Sequence, residues 1–167
     1  VEARPPFYIR TASVRDLPAV SALLGVTWHA TYDRLYGAEK VTAITSEWHS
    51  VAALQRRLDS PNSEFLLADD GKSLLGMAFA SASRRLVTLH QLYVLPAHQG
   101  RGVGVQLLEE VLECFFDAER ITLEVDPGNA GAIEFYKRYG FAETGRTENC
   151  GTGQSGIPAL IFERQLA

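Results

Sequence analysis

The chain has 167 residues, which at ~150 residues per domain makes one domain and not two. Its 46% hydrophobic and 22% charged side chains exclude intrinsic disorder, which needs less apolar content and a more lopsided charge. A formal charge of −4 excludes a nucleic-acid binder that relies on broad phosphate neutralisation.

Phe7-Tyr8-Ile9-Arg10 reads as a short first strand. Ser13 is placed as an N-cap, with Asp16 in the first turn where the helix dipole favours negative charge. Leu17, Val20, Leu23, Leu24 and Trp28 follow at helical spacing. A polar-aromatic stretch, His29 to Lys40, leads to a second helix near Ser46 to Leu58, which Ser60-Pro61-Asn62 stops. Glu64 to Asp69 and Leu74 to Ser81 are apolar strands joined through Asp70-Gly71, a hairpin signal. Leu86 to Leu95 is a third strand, ended by Pro96. After a glycine cluster, Val103 to Ala118 is an amphipathic helix carrying Leu107, Leu108, Val111, Leu112 and Phe115. Ile121 to Asp126 is a strand, and Asn129 to Tyr139 a helix closed by Gly140. The last strands are Phe141 to Thr147 and Ala159 to Gln165. This order predicts an α/β fold, a mixed sheet with helices on its faces. The segment 86–126 reads as a βαβ unit, so its two strands are expected to run parallel.

The longest apolar stretch, Leu74 to Ala80, is far short of the ~20 residues that cross a bilayer, so no membrane span is expected. The N-terminus lacks the apolar core of a secretory signal and begins with Val1 in place of Met, as a trimmed chain does. Cys114 and Cys150 cannot make a disulfide framework, and a reduced, cytoplasmic setting is expected. Cys114 is read as buried packing. His29, His49 and His98 show no metal spacing with one another or with the cysteines, so no metal is expected. Residues 1–60 carry 7 basic and 6 acidic side chains, and residues 61–167 carry 9 and 14. A polyanionic ligand must therefore be held by local geometry.

Gln99-Gly100-Arg101-Gly102-Val103-Gly104 supplies such geometry. Glycines between a strand and a helix let the backbone approach a ligand, and the helix start adds unpaired N–H groups and a positive dipole end. Pyrophosphate is the natural occupant. The P-loop pattern fails because no Lys follows. The dinucleotide fingerprint fails because residues 100, 102 and 105 are Gly, Gly and Val, although Glu124 stands near where its ribose-binding acid would. A glycine turn with no ligand is the alternative.

The run Leu92-Tyr93-Val94-Leu95-Pro96-Ala97-His98-Gln99-Gly100-Arg101-Gly102-Val103-Gly104 resembles the signature of the GNAT superfamily of acyl-CoA-dependent N-acetyltransferases. Its Gln/Arg-x-x-Gly-x-Gly/Ala mark is matched by Gln99, Gly102 and Gly104. A second block, Asn129 to Phe141, matches too, and the element order fits the family along essentially the whole chain. The resemblance implies a mixed, mostly antiparallel seven-stranded sheet with about four helices, splayed between strands 86–95 and 121–126.

It also implies roles. Acetyl-CoA would be the cosubstrate. Its pantetheine arm would pair with the backbone of Leu92 and Val94, and its pyrophosphate would sit on the backbone of Gly100, Arg101, Gly102, Val103 and Gly104. Asn129 would touch the pantetheine; by residue type it is equally an N-cap. Tyr136 would be the general acid for the thiolate, against a plain role as a core aromatic beside Phe135. The Val94 amide would stabilise the oxyanion. Some family members place a basic Glu in the third strand, where this chain has Thr88. The ribosomal-protein N-terminal acetyltransferase branch uses a Glu in Leu-Glu-Val before the Tyr, and Glu124 stands so relative to Tyr136. In strand 121–126 Ile121, Leu123 and Val125 share one face and Glu124 the other. His90 is the other candidate base. Trp28, Tyr32 and Tyr36 fall in the region that borders the acceptor pocket, with packing as the alternative.

The expected function is direct transfer of acetyl from acetyl-CoA to a primary amine of a small molecule or peptide. A catalytically weak acyl-CoA sensor is the alternative, kept by the missing carboxylate at Thr88; an ATP- or NAD-dependent enzyme is weakened by the failed fingerprints. No nucleic-acid or membrane partner is expected. Dimerisation is common in the family, and nothing in the chain specifies it.

Overall fold

The structure is a computed structural model that describes residues 6–151 and 155–166. Among them are seven strands, β1 (Tyr8–Thr11), β2 (Ser63–Asp69), β3 (Leu74–Ser83), β4 (Leu86–Val94), β5 (Arg120–Val125), β6 (Ala142–Thr147) and β7 (Ala159–Gln165). The five α-helices are α1 (Leu17–Tyr36), α2 (Ala38–Trp48), α3 (Val51–Leu58), α4 (Val103–Cys114) and α5 (Ala130–Arg138). The strands hydrogen-bond in the order β1-β2-β3-β4-β5-β7-β6. β4 and β5 are parallel, as the βαβ reading requires, whereas β1–β2, β5–β7 and β6–β7 are antiparallel.

Five helices replace the four expected, and the difference lies ahead of β2. α1 runs on through His29–Tyr36, where polar and aromatic residues masked the helical pattern. Gly37 ends it with a φ of 85°, a value that side-chain-bearing residues avoid. A new helix, α2, follows at once, and Ser50 opens α3 by accepting the Ala53 amide at 3.1 Å. The expected helix 46–58 is thus the end of α2 plus α3. At the start of the chain, Ser13 and Asp16 form a reciprocal capping box around one 3₁₀ turn, Val14–Asp16, before α1. α4 stops at Cys114, short of the expected Ala118, because the Ala118 amide turns back to the Phe115 carbonyl at 3.0 Å.

The chain divides into two compact units, Val1–Ala80 with Gln91–Cys114, and Ser81–His90 with Phe115–Ala167. In the first unit, Phe65 and Leu67 of β2 and Met77 and Phe79 of β3 pack with Leu17, Val20, Leu23 and Leu24 of α1 and Leu54 of α3. Alternation turns Leu66, Ala68 and Ala78 to the opposite face, and these are buried as well. Two covered faces explain why β2 and β3 read as continuous apolar runs. α4 buries Val103, Leu107, Leu108 and Val111. At Gly76 of β3 a Cβ atom would lie 2.7 Å from the Tyr93 carbonyl oxygen, 3.3 Å from Leu107 Cδ1 and 3.4 Å from Val103 Cγ1.

In the second unit the β4–β5 ladder runs from Leu86↔Arg120 to Leu89↔Leu123, while β4 itself continues to Val94 and β5 to Val125. β7 pairs with the whole of β5, from Arg120↔Gln165 to Val125↔Leu160. Ile121, Leu123 and Val125 are buried and Glu124 is exposed, the two-faced strand that alternation predicted. α5 ends before Gly140, whose φ is 89°. Tyr136 of α5 is buried, its ring 5.3 Å from that of Phe135 and 5.4 Å from that of Phe141.

Candidate functional site

The glycine turn belongs to the first unit. After Val94 the chain makes one 3₁₀ turn, Pro96–His98, closed by the His98 amide on the Leu95 carbonyl at 2.9 Å. Gln99 Nε2 then donates to the Val94 carbonyl at 3.1 Å, bracing the turn against the strand end. Gly100 and Gly102 have φ of 79° and 82°, where an L side chain costs about 1–2 kcal/mol. A Cβ at Gly100 would meet nothing within 4 Å, so backbone conformation and not crowding selects glycine there. The Gly102 carbonyl accepts the Gln106 amide at 3.1 Å, which makes Gly102 the N-cap of α4. The next amides, of Val103, Gly104 and Val105, therefore have no intrahelical partner. No acidic residue occupies that first turn, and Arg101 is exposed beside it, with Nη1 3.4 Å from His98 Nδ1. Amides without intrahelical partners, a positive helix end and an arginine fit a pyrophosphate.

The same unit holds the aromatic candidates. Trp28 and Tyr32 are buried, with ring centroids 4.6 Å apart, and Tyr36 follows at 5.9 Å from Tyr32. Two rings that sequence reasoning missed join them: Trp48, 5.8 Å from Trp28, and Tyr93, 6.5 Å from it. Two polar groups were missed too, the half-buried Arg57 and the buried His49. Arg57 Nη2 donates to the Trp48 carbonyl at 2.8 Å, and burial holds its pKa below the ordinary value. Burial, and after it the charge of Arg57, hold His49 down to about 3. Arg57 follows Arg56 on a short amphipathic helix, so nothing in the spacing marked it as the arginine turned inward.

The candidate acid and bases, Tyr136, Glu124 and His90, lie in the second unit, whereas Val94, the candidate oxyanion donor, ends β4 in the first. His90 is exposed, with Nε2 2.7 Å from Ser81 Oγ. Thr88 stands in register with Thr122. Glu124 Oε2 accepts the Gly151 amide at 2.8 Å. The Glu124 carboxylate also meets the Cys150 thiol, which burial first, and then the charge of Glu124, push up to about 12. This contact brings the chain after β6 to Glu124, a partnership 26 residues distant in sequence that no local pattern announced. Asn129 is the N-cap of α5, its side chain accepting the Ala132 amide at 3.2 Å. Cys114 is half-buried and not fully buried as expected, and burial raises its thiol pKa. Among the described residues no three His, Cys, Asp or Glu gather as metal ligands, and no helix is long and apolar enough to cross a membrane.

Known proteins resemble this chain in both sequence and fold. A family model described as the acetyltransferase (GNAT) family matches residues 28–141. N-alpha-acetyltransferase RimI of Mycobacterium tuberculosis is 37% identical over 98 residues, covering 56% of this chain and 61% of that protein. Streptothricin acetyltransferase of Streptomyces lavendulae is 33% identical over 112 residues, covering 62% of this chain and 58% of that protein. The chain thus spans less than two thirds of either relative. The crystal structure of PaiA N-acetyltransferase from Thermoplasma acidophilum, in complex with coenzyme A, has the same fold: TM-score 0.83 over 96% of this chain and 99% of that one, at 22% identity.

Proposed function

The chain belongs to the acetyltransferase (GNAT) family, and from that membership we propose that it is an N-acetyltransferase that uses acetyl-CoA and acetylates a primary amine directly. The observation that carries the reading is the braced glycine turn, whose positive-φ glycines lead into an α4 start free of acidic side chains. Acetyl-CoA, when bound, supplies an activated thioester carbonyl.

The chain's own residues do the rest. The backbone from Gly100 to Gly104, with Arg101, holds the pyrophosphate. Leu92 and Val94 align the pantetheine by backbone pairing, and Asn129 contacts it. The Val94 amide donates to the carbonyl oxygen as negative charge develops there. An amine of pKa ~10 costs about 4 kcal/mol to deprotonate at pH 7, so Glu124, or His90 through water, takes its proton. A nitrogen–carbon bond forms and the carbon–sulfur bond breaks. Tyr136 gives its phenolic proton to the departing thiolate, uphill by only about 2 kcal/mol. Trp28, Tyr32 and Tyr36 border the acceptor.

A second reading, an acyl-CoA sensor without useful turnover, is favoured by one observation: the Glu124 carboxylate already holds the Gly151 amide. Melting-temperature titrations with acetyl-CoA, CoA, ATP and NAD test the donor. A ligand at 100 times its Kd adds about 2.7 kcal/mol of stability. Stabilisation by the CoA species alone is expected, followed by thiol release with an amine. No shift with CoA overturns the enzyme and the sensor together, and binding without turnover of any amine leaves the sensor.

A further inference from the structure

The first unit contains a polar cluster of which acetyl transfer, as derived above, uses only the Trp28 ring, as a border of the acceptor. Trp28 Nε1, His49 Nδ1 and Arg57 Nη1 are buried and have no hydrogen-bond partner. Trp28 and His49 are themselves 7% and 3% exposed, so neither can turn to solvent. The three are neighbours. The Trp28 and His49 rings are 5.3 Å apart, the Arg57 guanidinium is anchored at the Trp48 carbonyl, one residue before His49, and its charge acts on the His49 ring. Among the described residues Arg57 has no carboxylate partner, whereas Arg10 has two and Arg85, Arg120 and Arg146 have one each.

Arg57 is half-buried and its Nη2 is paired, but a buried N–H left without an acceptor, here on a cation, is costly for a fold to keep. We propose that Trp28, His49 and Arg57 form a subsite for a carboxylate carried by the amine acceptor. The inference rests on the acetyl-transfer reading, because Tyr93 links the cluster to the reaction. Its ring is 6.5 Å from that of Trp28, and the next residue along β4 is Val94, the proposed oxyanion donor. The donor set suits a carboxylate in particular. Arg57 Nη1 and the indole N–H are fixed donors, and His49 adds a third in its Nδ1–H tautomer. One guanidinium matches one negative charge, and the neighbouring rings of Trp28, Trp48 and Tyr93 would penalise the desolvation of a dianion. The other unpaired buried side-chain atom among the described residues, Gln91 Oε1, is an acceptor and takes no part in holding an anion.

The test compares ω-amino carboxylates of three to six carbons with their primary amides. Acceptor binding is measured by calorimetry on the CoA-saturated protein, and acetylation by thiol release. Three proteins are used: wild type, Arg57→Gln and Arg57→Lys, each checked by its melting curve and its acetyl-CoA Kd. The wild type is expected to favour a carboxylate over its amide by at least tenfold, with the preference in KM and not in kcat. Arg57→Gln abolishes the preference and leaves the acetyl-CoA Kd within twofold; Arg57→Lys keeps part of it. Equal binding of the pair, no binding of any carboxylate, or a preference that survives Arg57→Gln overturns the subsite while the enzyme reading stands. Failure of the wild type to bind acetyl-CoA overturns both.

Discussion

The Gln99 side-chain amide donates to the Val94 carbonyl at 3.1 Å, so the residue that opens the glycine turn is tied to the last residue of β4. A neutral hydrogen bond of this kind contributes about 1 kcal/mol. Gln99→Ala is expected to raise the acetyl-CoA Kd about three- to tenfold with little change in melting temperature. Gln99→Glu, which sets a carboxylate against a carbonyl and a proposed pyrophosphate, is expected to raise it further. Calorimetric titration of both variants checks the order, and an unchanged Kd in both removes the brace from the site.

Tyr136→Phe isolates the phenolic proton. The ring packing against Phe135 and Phe141 is kept, so the variant is expected to melt near the wild type. General acid catalysis typically supplies ~10²–10⁴-fold, and kcat is expected to fall by at least the lower figure while the CoA Kd changes little. Stopped-flow thiol release measures this; an equal kcat assigns Tyr136 to packing alone.

His49 makes stability depend on pH with a definite sign. Its folded pKa is about 3 against an ordinary 6.5, so the unfolded chain binds a proton that the fold refuses. Above pH 6.5 nothing is lost. As pH falls from 6.5 towards 3, the fold loses up to about 1.4 kcal/mol per unit. Urea denaturation of wild type and His49→Gln at pH 7, 5.5 and 4.5 removes the shared carboxylate background. The wild type is expected to lose more stability than the variant over that range, and parallel curves contradict the buried, neutral imidazole.

Cys150 is expected to be slow to alkylate. With its pKa near 12, about one thiol in ten thousand is ionised at pH 8, against about a quarter of ordinary thiols. Iodoacetamide labelling read site by site by mass spectrometry is expected to find native Cys150 roughly a thousandfold slower than in the unfolded chain. Glu124→Gln leaves the burial but removes the charge that adds to it in holding the proton on sulfur, and is expected to speed labelling. A slower or unchanged rate in that variant separates the thiol from Glu124.

Periodicity carried most of the fold because the elements that it predicts bury what it counts. Leu107, Leu108 and Val111 define α4 by spacing alone, and Asp70-Gly71 locates the β2–β3 turn. It failed between His29 and Lys40, where α1 presents Tyr32 to the core and polar residues elsewhere, and where Gly37 is the sole breaker. The shape of the glycine turn was legible because glycine spells backbone conformation, and Gly100 and Gly102 both have positive φ. Arg57, His49 and the Glu124–Cys150 contact were not. Each depends on which way a long or polar side chain turns after the helices and strands have packed, and long side chains bury stems and heads independently of spacing.

The close approach at Gly76 extends the reach of the motif beyond its own letters. A single methyl group there would strike the Tyr93 carbonyl oxygen and crowd Val103 and Leu107, so β3 would have to draw back from the end of β4 and from the start of α4. In mutational scanning or ancestral reconstruction, position 76 is therefore expected to behave as one more glycine of the proposed anion cradle, although it lies in a different strand and shows no motif of its own. Transplanting residues 92–104 into another scaffold would carry the sequence of the cradle without the empty space that seats it.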